Sequence, residues 1–155
     1  LSVLEASYIC YLLKPDYNNF AKRLVKTPKL YFYDTGLACS LLDITSANQV
    51  STHFLRGGLL ENLVINEFIK NSYNTGNQPN LTFWRDNTGN EIDLLKYSDS
   101  KVYAYEIKSG STFSSDYFKG ITKWAKLSGT PTEQCNVIYT GEHNMTTSNG
   151  NLISW

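Results

Sequence analysis

The sequence is poor in cysteine, and the cysteines that it has follow no recognisable pattern. Cys10, Cys39 and Cys135 are three in number and far apart, and none of them belongs to a Cys-x-x-Cys pair. An odd, widely spaced set argues against a disulfide framework and against a zinc site. We therefore expect a reducing, cytoplasmic location.

Long apolar runs and an excess of one charge are also absent. No stretch approaches the roughly 18 apolar residues of a membrane-spanning helix, so the sequence predicts no membrane partner. Lys and Arg number 14 and Asp and Glu number 14, so the formal net charge is zero. Overall charge therefore gives no argument for nucleic acid, and any basic surface has to be local.

The composition is that of an ordinary globular protein. The chain has 155 residues, of which 41% are hydrophobic and 18% charged, enough for one compact domain with a short helical appendage. It begins at Leu1 rather than Met and enters helix-like sequence at once, so we expect it to be a fragment of a larger protein. We place an N-terminal helical segment with a basic arm at 1–56 and an α/β domain at 57–155.

The basic arm is a local run of cations in the N-terminal segment. Its four cations, within eight residues that contain no acid, are Lys22, Arg23, Lys26 and Lys29. Such a run is typical of a segment that contacts phosphates, and each engaged cation would add to the salt dependence of binding. The alternative is a solvated loop. Around this arm we predict a helix at 2–13, a strand at 30–34, a helix through 37–42 and a loop at 43–56.

The C-terminal segment predicts an α-β-β-β-α-β order with one further short strand. Gly57 and Gly58 precede a strong helical pattern, and the turn sequence 87–90 joins two strand patterns as a hairpin. The predicted elements are a helix at 57–72, strands at 81–86, 91–97 and 102–108, a helix through 113–124, and strands at 136–141 and 151–155.

One acid interrupts the apolar stripe of the predicted helix at 57–72. At about 100° per residue, Glu61 falls inside this stripe beside Ile65, while Asn62, Asn66 and Lys70 form a predicted polar face. A carboxylate on an apolar face is costly unless a cation meets it. The alternative explanation is a favourable interaction with the positive end of the helix dipole.

Three more ionisable residues lie on predicted strands. Alternation places Glu106 and Lys108 on one face of their strand, and Asp93 leaves the face that Ile92 and Leu94 use. Carboxylates that converge bind a hard ion such as Mg²⁺, and a lysine beside them can orient a water that attacks a phosphodiester. The alternative is a salt-bridged pair at an exposed strand end and a solvated Asp93 near the hairpin turn.

The set of Glu61, Asp93 and Glu106-Ile107-Lys108 in this element order resembles the PD-(D/E)XK nuclease superfamily. The resemblance implies a restriction-endonuclease-like mixed sheet, Glu61, Asp93 and Glu106 as Mg²⁺ ligands, and Lys108 as the catalytic lysine. Glu-Ile-Asp stands here where the superfamily pattern has Pro-Asp. Arg85, near the hairpin turn, either approaches a DNA phosphate or pairs with a local carboxylate.

Four blocks of the sequence resemble the domain that ends many prokaryotic AAA+ ATPases. They are KRLVKTPKLYFYDTGLA at 22–38, GLLENLVINEF at 58–68, FWRDNTGNEIDLL at 83–95 and YEIKSG at 105–110. The resemblance implies a preceding ATPase domain as partner and a winged-helix-like segment between. No GxxxxGK[ST] motif occurs, so we expect no ATPase activity from this chain alone.

The sequence supports one leading function and two alternatives. The leading prediction is a nuclease-like domain that binds DNA and cleaves it with Mg²⁺. The first alternative is a catalytically silent nuclease fold that docks on or regulates the ATPase or another protein, with its acids and lysine in a structural ion-pair cluster. The second is DNA binding without chemistry and without sequence preference. The sequence neither predicts nor excludes an oligomer.

Overall fold

The computed structural model describes residues 1–18 and 25–155. Two compact units are present: Leu1–Leu13 with Pro28–Pro79, and Lys14–Thr27 with Asn80–Trp155. Each unit has its own β-sheet and its own buried apolar cluster. The domain boundary expected between residues 56 and 57 stays a prediction.

The first unit combines a two-stranded sheet with four helices. Strands β1 and β2 pair antiparallel, with Cys10 opposite Phe32 and Leu13 opposite Lys29. Ala38, Ile44 and Leu59 form a small core. The elements are α1 (Ser2–Ala6), β1 (Cys10–Leu13), β2 (Lys29–Phe32), α2 (Thr35–Leu41), α3 (Ala47–Thr52) and α4 (Arg56–Asn74).

Two predictions for the first unit are wrong. The helix expected at 2–13 ends at Ala6, and the chain turns through Tyr8, whose φ is +56°, before it enters β1. The loop expected at 43–56 contains α3, which starts with a capping box in which Ser46 and Gln49 satisfy each other's backbone N–H groups. The predicted strand and helix between residues 30 and 42 are confirmed as β2 and α2.

The prediction of a polar face on α4 is also wrong, because two of its three residues are buried. Asn62 and Asn66 are buried, and their amides hydrogen-bond the backbone at the end of β2. Asn62 accepts from Phe32 N at 2.8 Å and donates to Phe32 O at 2.9 Å, while Asn66 donates to Phe32 O and Tyr33 O at 2.9 and 3.1 Å. These amides satisfy backbone groups that the short sheet leaves unpaired, which is why polar residues occupy a buried face. Lys70 is exposed as expected.

The described part of the second unit is a six-stranded mixed sheet with one ten-residue α-helix. The strand order is β3-β4-β5-β6-β8-β7, in which the β5/β6 and β6/β8 pairs are parallel and the others antiparallel. Short 3-10 turns lie at Ser115–Phe118 and Thr132–Gln134. The elements are β3 (Leu81–Arg85), β4 (Glu91–Ser98), β5 (Lys101–Lys108), α5 (Lys119–Ser128), β6 (Cys135–Tyr139), β7 (Met145–Thr147) and β8 (Gly150–Ser154).

Helix α5 covers one face of this sheet. Ile121, Trp124 and Ala125 are buried at the apolar side of the helix. They pack with Trp84, Ile92, Leu95, Ala104, Phe118, Cys135, Val137, Tyr139 and Leu152. Burial of an aromatic or branched side chain stabilises the native state by about 1.5–3 kcal/mol, so this cluster is the main source of stability in the second unit.

The segment that follows β1 covers the edge of the sheet at β3. Asp16 N donates to Phe83 O at 2.6 Å and Phe83 N to Lys14 O at 3.1 Å, so β3 does not present a bare edge here. The buried carboxylate of Asp16 accepts hydrogen bonds from Tyr97 OH and, at 2.8 Å, from Asn18 N. Burial and the bond to Asp16 raise the pKa of Tyr97 above its usual range.

Asp86 closes the predicted hairpin between β3 and β4. Its buried carboxylate accepts from Thr88 N, Thr88 Oγ1 and Asn90 N, each at 2.9 Å, and also from the Asn90 side chain. Burial alone would raise the pKa of Asp86, but the hydrogen bonds from Asn90 and Thr88 outweigh it and lower the pKa. The turn is therefore held by one ionised side chain.

We expect Asp86→Ala to lower the free energy of unfolding by about 2–4 kcal/mol, because it leaves several donors without their charged acceptor. The lowered pKa means that the contribution of Asp86 is complete above the ordinary value of 3.8 and is lost as pH falls through the native value. Urea unfolding at several pH values measures this. Asp86→Asn is the control, since it keeps an acceptor but cannot titrate. Equal acid sensitivity of the wild type and Asp86→Asn would contradict the assignment.

Candidate active site

A bulge in β4 positions Asp93. Thr82 pairs with Leu95 and Trp84 with Ile92. The partners are two positions apart on β3 but three apart on β4, so β4 contains one extra residue. The extra residue allows Ile92 and Leu95 to pack in the same core under α5, although strict alternation would place them on opposite faces. Asp93 lies within this irregular stretch, near the N-terminal end of β4.

The Asp93 carboxylate takes the place of a backbone acceptor between β4 and β5. Its Oδ2 accepts a hydrogen bond from Ile107 N at 2.8 Å. Ile107 stands between Glu106 and Lys108, so this bond brings the Asp93 carboxylate to the part of β5 that carries both predicted residues. The Asp93 carboxylate therefore contacts the β5 backbone between Glu106 and Lys108, within one unit. That the three side chains share one site stays a prediction.

Glu106 and Lys108 form an ion pair near the carboxyl end of β5. Lys108 Nζ lies 2.7 Å from Glu106 Oε2, and the two side chains are 34% and 7% exposed. Strand β5 lies between β4 and β6. The Glu106 side chain that it carries is buried, whereas the Lys108 side chain reaches solvent. A buried carboxylate needs such a charged partner to stay ionised.

Gly120, in the first turn of α5, allows the helix to approach Glu106. A Cβ atom built on Gly120 would lie only 2.7 Å from Glu106 Oε1. The positive end of the helix dipole is therefore next to the buried carboxylate, where a negative charge is favoured. Gly120 was not predictable from its neighbours in the sequence, because the close approach joins two elements that are distant along the chain.

Glu91 adds a further carboxylate, which is not among the predicted site residues. Glu91 and Asp93 each offer an oxygen, and the two oxygens lie within 4.8 Å of one another. Arg85 contacts Glu91 through Nη2 at 2.5 Å and Nε at 2.6 Å from Oε2. Of the two predicted roles for Arg85, pairing with a local carboxylate is therefore observed, and its contact with DNA stays a prediction. The signal for Glu91 was its spacing of two residues from Asp93.

Glu61 belongs to the first unit and meets a cation there. Its Oε1 accepts from Lys29 Nζ at 2.7 Å and from Tyr31 OH, and the Lys29 and Glu61 side chains are 15% and 21% exposed. Tyr11 lies nearby. Its pKa is raised mainly by burial and further by the charges of Tyr33 and Glu61. The cation that the position of Glu61 requires is thus Lys29. The predicted meeting of Glu61 with Asp93 and Glu106 stays a prediction.

The predicted basic arm is described only in part. Lys22 and Arg23 lie outside the described residues, and Lys26 is exposed. Lys29 is engaged by Glu61. The interpretation of this arm as a DNA contact stays a prediction.

Comparisons with known proteins give families without an assigned activity. A family model described as Domain of unknown function (DUF4143) matches residues 56–155, and a second, Domain of unknown function (DUF8612), matches residues 1–48. Uncharacterized proteins of Mycobacterium bovis and Mycobacterium tuberculosis are each 28% identical over 144 residues, which cover 92% of this chain and 31% of theirs. The chain thus spans about a third of the length of these relatives. No solved structure matches significantly. Among the described residues, no helix is both long and apolar enough to cross a bilayer.

We expect Gly120→Ala to lower the free energy of unfolding by about 1–3 kcal/mol, because the new methyl group overpacks against the Glu106 carboxylate. Gly58→Ala is the matched control, since a Cβ there meets nothing within 4 Å, and it should be neutral or stabilising by up to about 1 kcal/mol. Urea unfolding measures both.

In a Glu106→Ala background, where the obstructing carboxylate is gone, Gly120→Ala should lower the free energy of unfolding only slightly. A Gly120→Ala variant as stable as Gly58→Ala, or a cost that persists without Glu106, would show that the approach of α5 to Glu106 is not the constraint.

Proposed function

The chain belongs to the family described as Domain of unknown function (DUF4143), and we propose that this member is a nuclease-like domain that hydrolyses phosphodiesters of DNA with a divalent cation. The observation that supports the proposal is the hydrogen bond to the Asp93 carboxylate from Ile107 N, which lies between the ion-paired Glu106 and Lys108. Two carboxylates and a lysine within one sheet form the set that metal-assisted phosphodiester hydrolysis requires. The proposal includes a restriction-endonuclease-like arrangement in which Glu61 joins Asp93 and Glu106.

The donor set suits a small, hard cation. Oxygens of Glu91 and Asp93 lie within 4.8 Å of one another, and adjacent or opposite ligands of Mg²⁺ are about 3.0–4.2 Å apart. Both side chains are half-buried. Asp93 and Glu91 would hold the ion, and Glu106 would join them in the proposed set. The donors are all carboxylates, which favours Mg²⁺ or Mn²⁺ over a softer metal.

Each side chain then has a distinct part in the reaction. A bound Mg²⁺ would neutralise charge at the scissile phosphate. Lys108 carries its ammonium at the carboxyl end of β5 and can hold the attacking water or a phosphoryl oxygen by hydrogen bonding. Glu106 fixes that ammonium at 2.7 Å, so its own role includes positioning Lys108. Ile107 N, through Asp93 Oδ2, keeps the Asp93 carboxylate in a single orientation.

The wider context of the domain is part of the same proposal. On the basis of its four sequence blocks, we propose that the domain follows an ATPase domain in a longer, cytoplasmic protein. The curated relatives are about three times as long as the matched segment, which leaves room for such a domain. In this arrangement the nuclease-like domain would act on DNA that the ATPase engages.

The ion pairs favour one alternative, a silent nuclease fold that serves as a docking or regulatory module. Glu106 is paired with Lys108 and Glu91 with Arg85, so two of the acids are already neutralised without a metal. In that case the cluster would be structural, and removal of one partner would leave a buried charge unpaired at a cost of about 3–5 kcal/mol.

We expect the chain to cleave linear or branched DNA in Mg²⁺ or Mn²⁺, and Asp93→Asn and Lys108→Met to lower the rate at least about 100-fold. The measurement is single-turnover cleavage of end-labelled DNA. Glu142→Gln is the control, because it removes one charge from an exposed acid and should keep the wild-type rate.

Thermal melting separates the two candidate functions. A metal that binds the native state raises the melting temperature of the wild type, and Asp93→Asn should reduce this increase. A wild type that neither cleaves DNA nor melts higher with Mg²⁺ or Mn²⁺ would refute hydrolysis. If Lys108→Met also lowers the melting temperature without metal, the silent module is favoured instead.

A further inference from the structure

Helix α5 carries three lysines on one side. Lys119, Lys123 and Lys126 are exposed and lie within about 60° of one another around the helix axis at 100° per residue. The opposite side is the apolar face that packs on the sheet. The helix sequence KGITKWAKLS contains no acid, so a neutral chain has here a local basic row.

The row lines a groove in the surface of the second unit. The groove has a volume of about 360 Å³, and its polar lining residues are Ser115, Lys119, Thr122, Lys123, Lys126 and Asn149. Among the described residues, this lining includes no carboxylate. Hydroxyl and amide groups beside the ammonium groups supply further donors for anionic oxygens.

The contacts of these lysines within the protein are weak ones. Lys119 lies 2.9 Å from Asp116, but the two side chains are 77% and 66% exposed, and such pairs contribute little. Lys123 Nζ donates to Asn90 Oδ1, a neutral acceptor, at 2.9 Å. Neither contact neutralises the row in the way that Glu61 neutralises Lys29. The row therefore keeps its attraction for a negatively charged partner.

The row starts next to the candidate active site. Gly120, which follows Lys119, faces the Glu106 carboxylate, and Asn90, the partner of Lys123, precedes Glu91. An anion that bound only to the three lysines would make no use of the nearby candidate active site. A strand of repeating phosphates, by contrast, can place one phosphate at the acids and the next ones on the lysines.

The spacing of the row fits such a strand. Seven residues at 1.5 Å per residue put Lys119 and Lys126 about 10 Å apart along the helix axis. One DNA strand carries a phosphate about every 3.4 Å of its axis, so the row spans about three phosphates. We propose that Lys119, Lys123 and Lys126 form a binding track for the phosphate backbone of a nucleic-acid strand whose scissile phosphodiester lies at Asp93 and Glu106. This binding track rests on the proposed function only for the position of the scissile phosphodiester.

The test compares two triple variants of equal charge. Lys119→Ala, Lys123→Ala and Lys126→Ala together remove the row. The control combines Lys14→Ala, Lys70→Ala and Lys101→Ala, three exposed lysines outside α5. Binding of labelled single- and double-stranded 20-mers is measured in EDTA over a range of salt, so that hydrolysis plays no part. Surface substitutions of this kind should leave the melting temperatures close to that of the wild type.

We expect the row variant to bind at least about 10-fold more weakly at low salt, with a flatter salt dependence. Loss of three phosphate contacts lowers the slope of log K against log salt by about 2.7 for duplex and about 2.1 for single strands. The control variant should keep the wild-type slope. Equal losses in both variants, or a wild type that does not bind DNA in EDTA, would overturn the proposal. Competition by polyglutamate as strong as by DNA at equal charge would assign the row to an acidic protein instead.

The outcomes also separate this inference from the proposed function. A wild type that binds DNA through the row but does not cleave it with Mg²⁺ or Mn²⁺ would refute hydrolysis and support the track. A row variant that cleaves DNA with the wild-type KM would support hydrolysis and overturn the track.

Discussion

The hydrogen bond from Ile107 N to Asp93 Oδ2 is the constraint on which the candidate site depends. A backbone donor of the central strand β5 is satisfied there by a side chain of β4, from the stretch of β4 in which a bulge shifts its pairing with β3. A buried N–H group has to find an acceptor, so the fold itself requires an acid or amide at position 93. The same bond holds the Asp93 carboxylate against the β5 backbone between Glu106 and Lys108.

Helix α5 extends this organisation from the sheet to the surface. Its apolar side completes the core, Gly120 lets its first turn approach the Glu106 carboxylate, and its outer side carries the lysine row. The burial of Trp124 and Ile121 fixes the rotation of the helix, because a turn of a few tens of degrees would expose them. Since all residues of one helix rotate together, the core that orients Gly120 toward the acid also orients the lysines toward the groove.

Features that depend on neighbouring residues were predictable from the sequence, and those that depend on distant partners were not. The hairpin at Asp86 follows from its turn sequence, and strand alternation placed Glu106 and Lys108 together. Strand β1 was missed because its partner β2 lies beyond a long connection. The polar residues Asn62 and Asn66 were expected in solvent, because nothing in their helix indicates that the backbone of β2 would need their amides.

The zero net charge of the chain is compatible with a surface for a polyanion because charge is partitioned locally. Lys29, Arg85 and Lys108 each meet a carboxylate at 2.7 Å or less, and these cations serve the structure or the site. Within the described part of the chain, the lysines of α5 meet an exposed carboxylate and a neutral amide, and the groove that they face is lined by no acid. At physiological salt, screening acts over about 8 Å, so a polyanion responds to this local row and not to the sum over the molecule. Position on the fold, and not composition, therefore determines which cations can bind phosphate.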